Sequence, residues 1–236
     1  MKTTTALAFL SLCYASTAYA DTFGSGSNTF DIEFVTIGNS GNAADTTGAP
    51  NPAGSMAQTY RIGKFEISED MIDKVNAQSA LDGDPLSITK DTRGPNKPAT
   101  GVSWFEAAKF VNWLNTSTNN TPAYKFDGGG NFQLWQSGDA GYNAANLYRN
   151  SLAKYFLPSV DEWYKAAYYD STGSSYFNFP TGSNTAPTPV PSGTAADTAV
   201  YSQSLATGPA DITLAGESLR DDGPGRQCLG MGRDRT

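Results

Sequence analysis

The sequence contains no histidine, and its cysteines are Cys13 and Cys228. Histidine is the commonest general base and a common zinc ligand, so its absence excludes zinc hydrolysis and Ser-His-Asp catalysis. Basic residues are also scarce: 16 Lys and Arg stand against 23 Asp and Glu, and the formal net charge is −7. Because phosphate binding needs clustered basic side chains, this balance predicts that nucleic acid is not a partner.

The start of the chain has the organisation of an export signal. A lysine precedes a short apolar run at 6–12, and the tripeptide AYA at 18–20 is a small-x-small cleavage pattern. We therefore predict cleavage after Ala20 and a secreted or periplasmic protein. In an alternative, Cys13 carries a lipid, but Leu12 stands where such a signal has a small residue. No apolar segment is long enough to span a bilayer, so no transmembrane segment is predicted.

Cleavage would leave Cys228 as the one cysteine of the mature chain, within the stretch ESLRDDGPGRQCLGMGRDRT. One cysteine cannot form an internal disulfide. A nucleophile or copper ligand here would need a second soft ligand or a group that stabilises the thiolate. The nearby Arg226 and Arg233 lie on a glycine-rich segment with nothing to fix them. A catalytic role for Cys228 is therefore disfavoured.

The remaining sequence predicts one loop-rich domain with short strands near its beginning. Residues 21–29 are rich in Gly, Ser and Thr and indicate a flexible lead-in. Residues 30–38 (FDIEFVTIG) and 60–68 (YRIGKFEIS) are strand candidates. Most of the chain after residue 168 is rich in Pro, Thr, Ala and Gly and predicts a long irregular region.

Three helices are predicted, each beginning after a serine that can cap it. Ser68 precedes the first helix, and Ser-x-x-Glu capping boxes at 103–106 and 159–162 begin the other two. The neighbouring carboxylates Asp161 and Glu162 could resemble a catalytic pair. Capping and the helix dipole explain them better, because acidic residues are favoured in the first turn of a helix.

Tryptophans are the candidate glycan-binding residues, because an indole ring can stack on a sugar ring. Trp104, Trp113 and Trp163 lie in the predicted helices at spacings that favour burial of at least two of them. Trp135 lies in an irregular region, and Trp135→Ala is the substitution we select to test glycan binding.

Oxygen-rich and glycine-rich loops offer two further candidate sites. Asp82, Asp84 and the loop NSGNAAD could supply calcium ligands, but they lack the glycine and closing glutamate of a calcium loop. Calcium binding stays open as an alternative. The glycine run at 128–130 is not followed by a Gly-Lys-Ser pattern, so a turn is favoured over a phosphate nest.

Five blocks occur in an order that suggests a known family: FVTIGNSGNAADTTG, YRIGKFEIS, KPATGVSWFEAAKFVNWLN, FLPSVDEWYKAAYY and YFNFPTG. Over about residues 30–215 the chain resembles the formylglycine-generating enzyme family, also called sulfatase-modifying factors. The resemblance implies an α+β fold: a single irregular, loop-rich domain related to the C-type lectin fold. We place it at 30–216 and expect it to be incomplete at its C-terminus.

The resemblance also implies what an active member would need. The reference activity oxidises a sulfatase cysteine to formylglycine, using oxygen and copper bound by two cysteines beyond a GGNVWEW-like block. The family's sulfoxide synthases use iron bound by histidines. This sequence has neither the block, nor a cysteine pair, nor any histidine. No catalytic, cofactor-binding or metal-binding residue is therefore assigned. Thr181 also departs from the family pattern, which often has tryptophan there.

The tail at 217–236 suggests how the missing block was lost. Permitted codons for RDDGPGRQCLGMGRD, read one base later, spell GTMGQGGNVWEWDE, which contains GGNVWEW where the family has it. We therefore predict that the tail is a frameshifted sequence unrelated to the domain.

Two hypotheses about function follow: a non-catalytic domain that binds or displays a protein or glycan ligand, or an oxidase whose copper-binding cysteines lie in the lost segment. A lectin-like module that binds glycans through tryptophans is a third.

Overall fold

The computed structural model describes residues 19–204 and 208–214. The predicted signal up to residue 18, Cys13, Cys228 and the tail at 217–236 lie outside the described residues. The strands are β1 (Tyr19–Phe23), β2 (Phe30–Ile37), β3 (Tyr60–Gly63), β4 (Lys125–Phe126), β5 (Phe132–Gln133), β6 (Tyr169–Asp170), β7 (Ser175–Tyr176), β8 (Thr188–Pro189) and β9 (Thr198–Ala199). The α-helices are α1 (Glu69–Leu81), α2 (Trp104–Thr116) and α3 (Val160–Tyr168), and a 3-10 helix spans Gly26–Asn28.

An antiparallel sheet in the order β1-β2-β3 forms the N-terminal part of the domain. Its central strand β2 contributes buried side chains to two hydrophobic clusters. Phe30 and Ile32 belong to the main cluster, whereas Val35 and Ile37 belong to a smaller one. The buried positions change from even to odd numbers along the strand, and alternate residues of a strand point to opposite faces. The two clusters therefore lie on opposite faces of β2.

The helix predictions are confirmed, including their caps. The Ser68 hydroxyl accepts a hydrogen bond from the Met71 backbone N–H at the start of α1. Complete capping boxes begin α2 and α3. Helix α2 packs its apolar face, with Phe110 and Leu114, into the main cluster, and Ala166 of α3 packs into the smaller one.

The segment 21–29 differs from the predicted flexible lead-in, and that prediction is corrected here. Residues up to Phe23 form β1, which pairs with β2 along its length, and the 3-10 helix follows. Phe23 is only 1% exposed and packs its ring against Phe30 and Tyr155, with centroids 5.7 and 5.1 Å apart. Burial of the Phe23 side chain favours a strand here, although the neighbouring residues favour turns. The predicted cleavage point after Ala20 falls within β1.

The second strand candidate, 60–68, is also shorter than expected, because β3 ends at Gly63. The shorter strand pairs run β4 with β5, β6 with β7 and β8 with β9, and irregular segments connect them. Mixed helix and strand with long loops is the α+β, loop-rich architecture that the sequence predicts. Among the described residues, no helix has the length and apolar character needed to cross a membrane.

Candidate functional site

An open groove with a volume of about 460 Å³ lies at the start of α2. Aromatic side chains make up much of its wall, with a few polar groups among them. Its lining residues are Trp104, Phe105, Tyr124, Phe132, Asn146, Tyr148, Arg149, Leu157, Pro158 and Ser159. The volume falls within the range of about 300–1,000 Å³ that small-molecule sites occupy.

The capping box of α2 positions the first two aromatic residues of the groove. Ser103 accepts a hydrogen bond from the Glu106 backbone N–H, and the Glu106 carboxylate accepts one from the Ser103 N–H at 2.9 Å. Helix α2 therefore begins at Trp104, and Phe105 is its second residue. Phe105 lies on the same side of the helix as Lys109 and Asn112, because residues four and seven positions apart share a face.

Edge-to-face contacts hold Trp104 in place within the groove. Its ring centroid lies 5.5 Å from Phe105, 5.2 Å from Tyr124 and 5.1 Å from Phe132, with interplanar angles of 75–85°. Such pairs stabilise by about 0.5–1.5 kcal/mol each beyond the area they bury. Trp104 nevertheless remains 36% exposed. The groove thus presents an indole whose position is fixed before any ligand arrives.

A second aromatic pair lies next to the first. Phe132 and Tyr148 stack nearly parallel, with centroids 6.1 Å apart and an interplanar angle of 11°. Tyr148 is nevertheless 59% exposed, and Phe105 is 54% exposed. Large aromatic side chains that remain this exposed, and that lie together, mark interaction surfaces in soluble proteins.

Tyr124 fixes the floor of the groove. The Asn112 side chain exchanges two hydrogen bonds with the Tyr124 backbone, at 2.7 and 2.9 Å. The Tyr124 hydroxyl accepts a hydrogen bond from the Leu157 N–H at 2.9 Å. Burial removes this hydroxyl from water and raises the pKa of Tyr124 to about 12. The Tyr124 hydroxyl therefore stays protonated. Through its backbone and its hydroxyl, Tyr124 connects Asn112 of α2 to Leu157 on the other side of the groove.

The one cationic side chain in the lining of this groove is already paired. Both terminal nitrogens of Arg149 donate to the Glu162 carboxylate, at 2.9 and 3.0 Å, and the guanidinium lies 3.9 Å from the Phe156 ring centroid. The Glu162 side chain is only 4% exposed and also accepts from the Ser159 N–H at 2.6 Å. The bidentate pair leaves the groove close to neutral.

The structure separates the four tryptophans by role. Trp113 is 7% exposed and packs in the main cluster, with its ring stacked 6.3 Å from Phe30. Trp163 is half-buried against the smaller cluster. Of the three helical tryptophans, at least two of which were expected to be buried, Trp113 is buried and Trp163 is half-buried, whereas Trp104 lines the groove. Trp135 does not line it, and its indole donates to the Ala123 carbonyl at 3.1 Å.

The acidic candidates have structural roles or stand exposed. Glu162 completes the cap of α3, and Asp161 accepts a hydrogen bond from the Gly54 N–H at 2.8 Å. Both carboxylates therefore have structural partners. Asp82 and Asp84, the calcium candidates, are exposed. Within residues 19–204 and 208–214, no group of three or more potential metal-ligating side chains comes together.

Sequence reasoning missed Phe105 and Tyr148 as site residues. Phe105 carried a usable signal, because an apolar side chain on the polar side of an amphipathic helix lacks a core partner. Tyr148 lies in an irregular segment that no periodic pattern describes. Its place beside Phe132 depends on the fold of residues between β5 and α3, which local sequence does not fix.

One family model and two solved structures match this chain. Residues 27–207 match the model of the sulfatase-modifying factor enzyme 1-like domain. The fold is similar to the crystal structure of CarF, at 18% identity and a TM-score of 0.49, over 74% of this chain and 69% of CarF. It is also similar to Treponema denticola variable protein 1, at 23% identity and a TM-score of 0.47, over 72% of this chain and 62% of that protein.

A search of curated proteins found no match. The family match rests instead on 27–207, which includes the three helices, the sheet strands β2 and β3, and every residue that lines the groove. The chain belongs to the family of sulfatase-modifying factor enzyme 1-like domains, with the irregular, C-type-lectin-like α+β fold of that family.

Proposed function

We propose that this chain is an exported, non-catalytic binding domain that holds its ligand in the aromatic groove at the start of α2. The observation that carries the proposal is the exposure of Trp104, Phe105 and Tyr148 on one fixed aromatic framework. Exposing three such rings to water is unfavourable, at roughly 25 cal/mol per Å² of apolar surface. A ligand that covers them would recover that free energy.

The donor set of the described residues supports a role without oxidation. A copper site of the kind found in formylglycine-generating relatives needs two cysteine thiolates. The sequence has Cys13 and Cys228, and neither lies in the described part of the chain. The described part of the chain, which contains no cysteine, therefore does not fit a copper site of this kind.

The second candidate function is an oxidase of the formylglycine-generating type. It is favoured by the tail at 217–236, for which permitted codons read one base later spell GGNVWEW; that frame would continue into a segment that could hold two cysteines. Sequencing the gene across codons 205–236 tests this candidate. Codons that do not spell GGNVWEW in another frame would eliminate it, together with the frameshift explanation of Cys228.

Fragment mapping by NMR tests the binding proposal. A library of small aromatic and aliphatic fragments is titrated into the ¹⁵N-labelled protein, and amide and indole shifts are followed. We expect fragment contacts to concentrate at the groove, with the largest shifts at Trp104 and Tyr148. Fragments that contact other surfaces and leave both residues unchanged would refute the proposal.

An oxidase assay separates the two candidates when it uses protein expressed with the alternate frame restored across codons 205–236, because the oxidase candidate places its cysteines beyond that point. This protein is incubated with copper(I), oxygen and a cysteine-containing peptide of the sulfatase type, and the peptide is analysed by mass spectrometry. The binding proposal predicts an unchanged peptide. Conversion of its cysteine to formylglycine would show that the domain is catalytic and would overturn the proposal.

A further inference from the structure

We infer that the groove takes a neutral oligosaccharide of flat, β-linked hexopyranose units. This inference rests on the proposed binding function and names the chemical class of the ligand. Its starting point is the coexistence, in one open groove, of exposed aromatic rings with polar groups that have no protein partner.

The aromatic framework suits the face of a pyranose ring. In a β-linked glucose or N-acetylglucosamine unit the ring substituents are equatorial, so both faces of the sugar present C–H groups. Tyr148 offers a ring for such a face, because its side chain is 59% exposed; Phe132 lies beside it with a nearly parallel ring, its centroid 6.1 Å away. Trp104 and Phe105 extend the apolar surface, with their centroids 5.5 Å apart and their rings nearly perpendicular.

Two polar groups near Tyr148 are available for sugar hydroxyls. The Asn146 carbonyl oxygen accepts a hydrogen bond from the Tyr148 N–H at 3.1 Å, which fixes the orientation of the amide. Its amide nitrogen has no hydrogen-bond partner among the residues that the structure describes, nor does the Tyr148 hydroxyl. A hydroxylated ligand could hydrogen-bond to both while it stacks on the ring. A purely hydrocarbon ligand would instead leave them unpaired, which is unfavourable once water is displaced.

Charge favours a neutral sugar over an acidic one. Glu162 neutralises Arg149 through two hydrogen bonds, so the groove has no free cation among its lining residues. The chain as a whole is acidic, with a formal net charge of −7, and would repel uronates and sulfated sugars. A peptide in extended β-conformation is disfavoured for a different reason: its backbone needs paired donors and acceptors along the groove, which the aromatic side chains do not supply. A proline-rich peptide has no such need and is therefore included as a probe.

Isothermal titration calorimetry tests the inference with three probes: cellohexaose, hexagalacturonate and a proline-rich peptide. We expect saturable binding of cellohexaose and none of the other two. Tyr148→Ala should weaken cellohexaose binding roughly tenfold through loss of stacking, and Tyr148→Phe about threefold through loss of one hydroxyl. Tyr201→Ala is the matched control, because Tyr201 is 40% exposed and lies outside the groove lining. It should leave affinity unchanged.

The outcomes distinguish this inference from the proposed function. If hexagalacturonate or the peptide binds and cellohexaose does not, the neutral-sugar inference is wrong while the binding function stands. Equal loss of affinity in Tyr148→Ala and Tyr201→Ala would place the sugar elsewhere and overturn the inference. If no probe binds while fragments still contact the groove, the ligand class is wrong and the site is right. If fragments avoid the groove as well, the proposed function fails too.

Discussion

The substitution Glu162→Gln removes the negative charge that pairs with Arg149 beside the groove. Glu162 accepts two hydrogen bonds from Arg149 and one from the Ser159 N–H, and its side chain is 4% exposed. Glutamine is almost isosteric and also occurs at this position of capping boxes. The substitution therefore keeps much of the cap of α3 and selectively breaks the ion pair.

The expected cost is about 3 kcal/mol of the free energy of unfolding. Removing one partner of a buried ion pair costs roughly 3–5 kcal/mol, because the other charge is left uncompensated. The lower end applies here, since the Arg149 side chain is 24% exposed and recovers some hydration. Glu106→Gln is the matched control: it changes the same position of the same motif in α2, where Ser103 and Thr89 are the partners and no arginine is involved. It should cost about 2 kcal/mol, because four hydrogen bonds stabilise the charged carboxylate of Glu106 while water screens part of that effect.

Urea unfolding of the two variants and the wild type measures this difference. With a slope of about 2 kcal/mol per M, Glu162→Gln should lower the midpoint by roughly 1.5 M and Glu106→Gln by roughly 1 M. Adding Arg149→Met to Glu162→Gln should restore part of the loss, because it removes the unpaired charge and keeps an apolar stem over Phe156. Equal midpoints for the two single variants would refute the reasoning that the Arg149 pair is the larger contribution.

Two further predictions test the pH dependence and the start of the fold. Desolvation raises the pKa of Glu106, but hydrogen bonds from Ser103 and Thr89 outweigh it and lower the pKa from 4.5 to about 2. A lowered folded-state pKa stabilises above the unfolded value, so the stability advantage of wild type over Glu106→Gln should shrink as pH falls from 4.5 to 2 in urea titrations. A constant difference would contradict it. Phe23→Ala should cost about 3–5 kcal/mol in thermal or urea unfolding, because it empties a buried ring site. A loss below 1 kcal/mol would instead support a flexible lead-in.

Local chemistry made the helices predictable. The Ser-x-x-Glu motifs of α2 and α3 place hydrogen-bonding groups where a helix start leaves free backbone N–H groups, so the signal is read within four residues. Strand β2 was predictable from its apolar alternation. The contribution of β2 to two clusters could not be predicted. The switch of the buried face at Val35 depends on which other elements cover each side of the strand.

The groove could not be predicted from the sequence for a related reason. Trp104 could be assigned to the first turn of α2, but its exposure depends on how far Phe132 and Tyr148 approach from a segment with no periodic pattern. Strand β1 was missed for the opposite reason. There Phe23 packs in the core and Asp21 pairs with Arg61, in a segment whose other residues favour turns.

The central claim is that Trp104 lies in a binding groove while Trp113 lies in the core. Titration of ¹⁵N-labelled protein with cellohexaose, followed through the tryptophan indole N–H signals, tests both statements in one spectrum. We expect a saturable shift of the Trp104 signal and an unchanged Trp113 signal. A Trp104 signal that stays fixed at saturating sugar, or one that moves together with Trp113, would contradict the account.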